Sequence, residues 1–224
     1  MEYPTFDSIT SIRISIVLKM SSINQFIIII ILFSVSTTGS ISEEISPVKN
    51  TLFFDVLNND KVIGSLKATK TINNSMVHYQ SVTTINTRVI KEIDVNYLYN
   101  VTYENNKLIR ANVRIDVNDK PYADILTNWE IDCYQISKNN INELVVEEDI
   151  NYATILLYFD EPIHIERCYS EQDGSFNTII PLGNHSYKKI NAKNHENKYY
   201  YKNGFLQKAE IDGGLVKFDI VAQK

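Results

Sequence analysis

Two runs of alternating apolar and polar residues, joined by a short asparagine-rich turn, most constrain the fold of this chain. The first run places an apolar residue at every second position: Val95, Tyr97, Tyr99, Val101 and Tyr103. After Glu-Asn-Asn-Lys the alternation resumes with Ile109, Ala111, Val113, Ile115 and Val117. Because side chains in a strand point alternately to opposite faces, each run predicts a strand with one apolar face. Together they predict an antiparallel hairpin.

The same pattern fills most of the chain after residue 50. Asn58-Asn59-Asp60-Lys61 and Lys202-Asn203-Gly204 separate further alternating runs, as turns do in hairpins. Gly64 inside one run indicates a bulge or a close approach of two backbones. A long run from Tyr122 to Tyr134 predicts one strand, with Trp129, Ile131 and Cys133 on the same face. We therefore expect about ten to twelve strands in a single β-domain over residues 51–222.

Residues 150–159, which follow Glu147-Glu148-Asp149, are the one segment that favours a helix. Acidic residues stabilise a helix N-terminus, and Pro162 would end the helix soon after Asp160. Periodicity alone does not separate a short helix from a buried strand, so the buried strand remains the alternative.

An uncharged apolar run of about ten residues, 26–35, indicates a signal peptide. Small residues follow it and predict cleavage near Gly39 or Ser40, while Lys19 and Arg13 supply the positive charge before it. The run is shorter than the roughly 20 residues of a membrane span, although an uncleaved N-terminal anchor remains the alternative.

Met20 would be a more compact start than Met1 for such a signal. We therefore expect residues 1–40 to be an N-terminal extension plus signal peptide, and residues 41–50 to be a leader before the domain. The mature protein is then exported to the periplasm or the extracellular space, without a stable transmembrane span.

Composition narrows the classes of function. The chain has 224 residues, of which 44% are hydrophobic and 22% are charged, so it can bury one sizeable core. Its net charge of -5 argues against nucleic-acid binding, because such proteins usually carry a basic excess. No phosphate-binding glycine loop and no nucleophile motif is present. We expect no cofactor.

Several short motifs resemble a known family. They are Phe-Asp-Val…Gly at 54–64, Leu-Tyr-Phe-Asp-Glu-Pro at 157–162, Glu-Gln-Asp-Gly at 171–174 and Tyr-Tyr-Tyr-Lys-Asn-Gly…Ala-Glu-Ile at 199–211. Over most of residues 51–222 the chain resembles a domain-of-unknown-function family of exported proteins found largely in Bacteroidota. It is distantly similar to periplasmic spiral β-roll proteins and lipoprotein carriers. The resemblance implies no activity and no site residues.

The predicted fold class is therefore mainly β. We expect a single large curved antiparallel sheet, as a spiral roll or an open barrel, with one short helix near residues 150–160. A large curved sheet with little helix to cover it can enclose an apolar cavity, which is a common type of ligand site. The aromatic residues are the candidates for lining that cavity: Tyr97, Tyr99, Tyr103, Trp129, Tyr158 and Phe159. The alternative is that these rings fill the core.

The two cysteines, Cys133 and Cys168, are an even number in an oxidising compartment and could form a disulfide. Two unpaired thiols are the alternative. His164, Glu166 and Cys168 would share one face of a strand, but no established metal-ligand spacing accompanies them, so we predict no metal site.

Three hypotheses for function follow. The first is a noncatalytic exported protein that binds an apolar or lipid-like small molecule. The second is a structural or interaction module with a filled core, which would meet an envelope protein partner through a strand edge or face. The third is an uncharacterised hydrolase, which would need a histidine within hydrogen-bond reach of a carboxylate or a thiol.

Overall fold

The computed structural model describes residues 47–88, 92–212 and 217–223, and within them the chain forms fourteen strands and one 3-10 turn, Thr154–Tyr158. The strands are β1 (Val48–Asn58), β2 (Lys61–Asn73), β3 (Met76–Arg88), β4 (Glu92–Glu104), β5 (Lys107–Val117), β6 (Lys120–Glu130), β7 (Cys133–Lys138), β8 (Ile141–Val146), β9 (Arg167–Ser170), β10 (Ser175–Gly183), β11 (Ser186–Ile190), β12 (Glu196–Lys202), β13 (Phe205–Asp212) and β14 (Lys217–Ala222). The predicted signal peptide and leader positions 41–46 lie outside the described residues. Residues 48–50, predicted as leader, belong to β1.

All fourteen strands form one antiparallel sheet. Its order is β8-β7-β6-β5-β4-β3-β2-β1-β14-β13-β12-β11-β10-β9, so two meanders join where the first strand pairs with the last. The prediction of a mainly β fold with one large open antiparallel sheet is confirmed. The strand number exceeds the expected ten to twelve partly because Tyr122–Tyr134 is not one strand. A turn divides it into β6 and β7, and Ile131 in that turn is 98% exposed, so it shares no face with Trp129 and Cys133.

Asparagine forms most of the tight connections between strands. Among the described residues, six two-residue turns have positive φ at both positions: Asn59-Asp60, Asn105-Asn106, Asn118-Asp119, Asn139-Asn140, Asn184-His185 and Asn203-Gly204. Turns of this kind match the twist of the strands they connect, and asparagine adopts positive φ more readily than other non-glycine residues. The asparagines at these turn positions therefore have a local structural cause.

The inner face of the sheet is apolar and rich in tyrosine, as the alternation predicted. Val95, Tyr97, Val101 and Tyr103 of β4 are buried, and the polar residues between them face outward. In β5 a register shift opposite Tyr103 turns Leu108 inward in place of Ile109, while Ala111, Val113 and Ile115 point inward as expected.

Residues 150–160, named here the interior segment, run inside the curved sheet. The 3-10 turn within this segment contacts β3, β9 and β13, and its residues Ile155, Leu156 and Leu157 are buried. Strands of both meanders therefore bend around the segment. The first residues of the segment are held by backbone hydrogen bonds, from Leu108 N to Ile150 O at 2.9 Å and from Tyr169 N to Tyr152 O at 2.9 Å.

The one short helix predicted near residues 150–160 is present as a five-residue 3-10 turn, and the alternative of a buried strand is wrong. The acidic residues before it do not stabilise its N-terminus, because Glu148 pairs with Arg167 at 2.8 Å and Asp149 pairs with Lys107. A carboxylate from a distant part of the chain, Glu171, accepts the first N–H groups of the turn instead.

Candidate functional site

A cavity of about 670 Å³ lies between the inner face of the sheet and the interior segment. Its apolar lining comes from both meanders: Leu66, Ile115, Ile125, Ile211, Phe218 and Ile220. This volume is within the range of about 300–1,000 Å³ that small-molecule sites occupy. The cavity is present because the strands curve around the interior segment without that segment filling the whole interior, and it is open to solvent on the side of exposed residues such as Tyr122 and Lys138.

Three of the six aromatic residues proposed from the sequence line this cavity. They are Tyr97 and Tyr99 on β4 and Tyr158 at the end of the 3-10 turn. Burial raises the pKa of Tyr97 to about 12, and it also raises the pKa of Tyr99 and of Tyr158. All three phenols are therefore neutral at physiological pH. The Tyr99 hydroxyl donates to Oε1 of Gln172 at 3.1 Å, whereas the buried Tyr97 hydroxyl has no partner among the described residues.

The other three aromatic residues lie elsewhere. Tyr103 and Phe159 pack against Tyr79, with ring centroids 5.9 and 5.4 Å apart, so they belong to the filled part of the core. Trp129 packs against Tyr134 at 4.8 Å, and the Lys107 ammonium lies 3.2 Å from its ring centroid. The alternative that the aromatic rings fill the core therefore holds for Tyr103 and Phe159. The sequence pattern did not distinguish these two rings from the rings that line the cavity.

The polar lining of the cavity was missed by the sequence analysis. Asn177 on β10 and Lys189 on β11 line the cavity and are buried, and Thr154 of the interior segment lies beside Lys189. Lys188-Lys189 resembles an ordinary solvated pair of lysines in the sequence. One feature of the sequence could have indicated that Lys189 points inward. Lys189 is two residues after Tyr187, so the two side chains lie on the same face of the strand.

Glu171 connects this polar lining to the interior segment. Its side chain is buried, and its two carboxylate oxygens accept the backbone N–H groups of Thr154 and Ile155 at 3.1 and 3.0 Å. Burial raises the pKa of the Glu171 carboxyl, while these hydrogen bonds and the charge of Lys189 oppose the rise. The carboxylate thus supplies the N-terminal cap that the local sequence of the turn lacks.

Neither cysteine forms a disulfide in the structure. Cys133 on β7 is half-exposed and its sulfur accepts from Gln135, whereas Cys168 on β9 is buried with its sulfur 3.8 Å from Oγ1 of Thr154. Cys133 and Cys168 are therefore two unpaired thiols, as the alternative to the disulfide predicted. Burial raises the pKa of Cys168 to about 12, which leaves this thiol protonated and unreactive.

The shared strand face expected for His164, Glu166 and Cys168 is not present. His164 has a φ of 60°, and β9 begins only at Arg167, so the alternation does not reach back to His164. Over residues 47–88, 92–212 and 217–223, no group of three or more His, Cys, Asp or Glu side chains is arranged to hold a metal ion.

Two histidines of the described residues approach carboxylates, and His185 is within the hydrogen-bond reach that a hydrolase would require, whereas His195 is not. His185 Nδ1 lies 2.9 Å from Oε1 of Glu161, outside the cavity, and the same oxygen accepts from the Tyr187 hydroxyl at 2.8 Å. At the cavity itself, His195 Nδ1 is 3.9 Å from Oδ2 of Asp212, which also pairs with Lys217 at 3.1 Å. Both acids thus have further partners beside the histidine.

No helix in the part of the chain that the structure describes has the length and apolar character needed to cross a bilayer.

The comparisons with known proteins give a family and no activity. No curated protein and no solved structure matches the chain. A family model described as a domain of unknown function, DUF6134, matches residues 54–223, which include nearly all of the sheet. The chain therefore belongs to the DUF6134 family of domains of unknown function.

Proposed function

We propose that this protein is an exported, noncatalytic protein of the periplasm or cell envelope that binds or carries an apolar, lipid-like ligand. The cavity of about 670 Å³ carries this proposal. Its walls combine aliphatic residues with the neutral rings of Tyr97 and Tyr158, and such walls bind a ligand chiefly through the removal of apolar surface from water. The N-terminal extension plus signal peptide predicted over residues 1–40 supports the exported location.

The direct test is native mass spectrometry, with lipid extraction, on the mature protein purified from its envelope fraction. We expect an apolar molecule of reproducible mass to accompany the protein in a fixed ratio. Ligand-free protein from several independent preparations would count against carriage of an apolar ligand.

A matched pair of substitutions tests whether the cavity is the site. Thr83 on β3 lines the cavity, and its neighbour Val82 points to the outside of the sheet and is exposed. Thr83→Phe should fill part of the cavity and weaken binding of the neutral fluorescent probe N-phenylnaphthylamine about tenfold or more, a loss of roughly 1.4 kcal/mol. Val82→Phe adds the same ring outside and should leave probe affinity unchanged. Equal affinities in the two folded variants would exclude this cavity as the site.

A second candidate function, binding of an envelope protein partner, is favoured by one feature. β8 is an edge strand that pairs with β7 and with no other described strand, and its Ile141, Leu144 and Val145 are exposed. Such an edge can accept a further strand. A photo-crosslinker at Val145 should then capture one discrete partner in cells, whereas a crosslinker at exposed Thr178 on β10 should not. If neither position gave a crosslinked product, this would argue against a partner at β8.

A further inference from the structure

A buried amide in the cavity has no hydrogen-bond partner in the part of the chain that the structure describes. Asn177 on β10 is 2% exposed and lines the cavity, and among the described residues nothing bonds to its Nδ2 or its Oδ1. Buried polar groups in folded proteins are nearly always satisfied, so an unsatisfied amide that faces a cavity indicates a missing polar partner. Asn177 could offer that partner two N–H donors.

A buried ammonium lies on the neighbouring strand and on the same face. Lys189 of β11 is 7% exposed and pairs in register with Ile179, two residues after Asn177 on β10. Its Nζ donates to Oγ1 of Thr154 at 3.3 Å, and no other described residue forms a hydrogen bond or an ion pair within 4.0 Å with it. An ammonium has three N–H donors, so donor capacity remains on the cavity side.

The nearby carboxylate of Glu171 does not neutralise Lys189 by direct contact. Both of its oxygens bond to backbone N–H groups of the 3-10 turn, at 3.1 and 3.0 Å. The charge of Lys189 acts on Glu171 at a distance, because it lowers the pKa that burial raises. The hydrogen-bonding capacity of the Glu171 carboxylate, however, is used to cap the 3-10 turn. A buried charge is costly without a close partner of opposite sign, and the cavity beside Lys189 has room for one.

We propose that the ligand is a long-chain carboxylic acid. Its carboxylate accepts hydrogen bonds from Nζ of Lys189 and Nδ2 of Asn177, and its chain lies against the apolar wall formed by residues such as Leu66, Ile125 and Tyr158. One buried ammonium matches the single charge of a carboxylate. This inference rests on the proposed function, because it specifies the chemical class of the apolar ligand and places its head group.

Palmitate and hexadecanol, which have chains of equal length, are the probes. Their equilibrium binding to the delipidated mature protein separates the head group from the chain. Wild-type protein should bind palmitate about tenfold or more tightly than hexadecanol, because hydrogen bonds to a charged group contribute that much. Lys189→Met should abolish this preference by weakening palmitate binding only. The matched control Lys188→Met removes an outward lysine that pairs with Glu196 at 2.9 Å, and it should retain the full preference.

The variant Asn177→Leu tests the carboxylate site without the risk that lost binding reflects a folding defect. Since the side chain of Asn177 makes no hydrogen bond within the described residues, its replacement by a leucine of similar volume should leave the melting temperature equal or higher while weakening palmitate binding several-fold.

The outcomes separate the two proposals. Equal affinities of wild-type protein for the acid and the alcohol, or an undiminished preference for the acid in Lys189→Met, would overturn the carboxylate inference and leave apolar binding standing. Failure of both probes to bind would overturn the proposed function, and the inference with it.

Discussion

Replacement of Leu157 by alanine is expected to lower the free energy of unfolding by about 3–5 kcal/mol, the usual cost of a cavity made by truncating a buried leucine. Leu157 is fully buried in the 3-10 turn, where strands of both meanders surround it. Its backbone oxygen accepts from the Tyr201 hydroxyl at 2.7 Å, and alanine keeps this hydrogen bond. The loss is therefore one of packing, and urea unfolding followed by far-ultraviolet circular dichroism measures it.

The control is Leu182→Ala, which removes the same atoms from an exposed side chain on β10. It should change the free energy of unfolding by less than about 0.5 kcal/mol, as surface substitutions usually do. If Leu157→Ala were as mild as this control, the interior segment would not be part of the cooperative core, and the account of the sheet curving around it would be wrong.

Replacement of Gly64 by alanine is expected to lower the free energy of unfolding by about 3 kcal/mol, at the upper end of overpacking costs. A Cβ at Gly64 would meet the backbone oxygen of Thr84 on β3, and it would lie 3.0 Å from Cα of Ile85. Backbone atoms of a paired strand cannot move aside as a flexible side chain could. The melting temperature and the urea midpoint should both fall.

Ser65→Ala is the matched control, because Ser65 is the next residue of β2 and its side chain is exposed. It should leave both midpoints nearly unchanged. The close backbone approach that Gly64 predicted from its place inside an alternating run is confirmed in the structure, together with a register shift between Val56 and Leu57 on the paired strand β1. A Gly64→Ala protein as stable as wild type would contradict that close approach.

The secondary structure could be predicted from local pattern, with identifiable errors. Alternation and the asparagine turn located the hairpin of β4 and β5 within three residues, because both signals depend on neighbours in sequence. The prediction that Ile109 points inward was wrong because a bulge opposite Tyr103 turns Leu108 inward instead. Nothing in the alternation of apolar residues indicates that bulge. The helix prediction overestimated a 3-10 turn whose capping carboxylate, Glu171, lies 16 residues after Ile155 in the chain.

The amino-acid sequence alone determined that the chain forms an antiparallel sheet with a tyrosine-rich inner face, since strand periodicity is a local property of the backbone. Only the tertiary structure decided which of those tyrosines line a cavity, because that depends on how the interior segment packs between the two meanders. It likewise decided that Lys189 and Asn177 face the same cavity. Adjacent strands bring these two residues together, and the curvature of the whole sheet withdraws both from water.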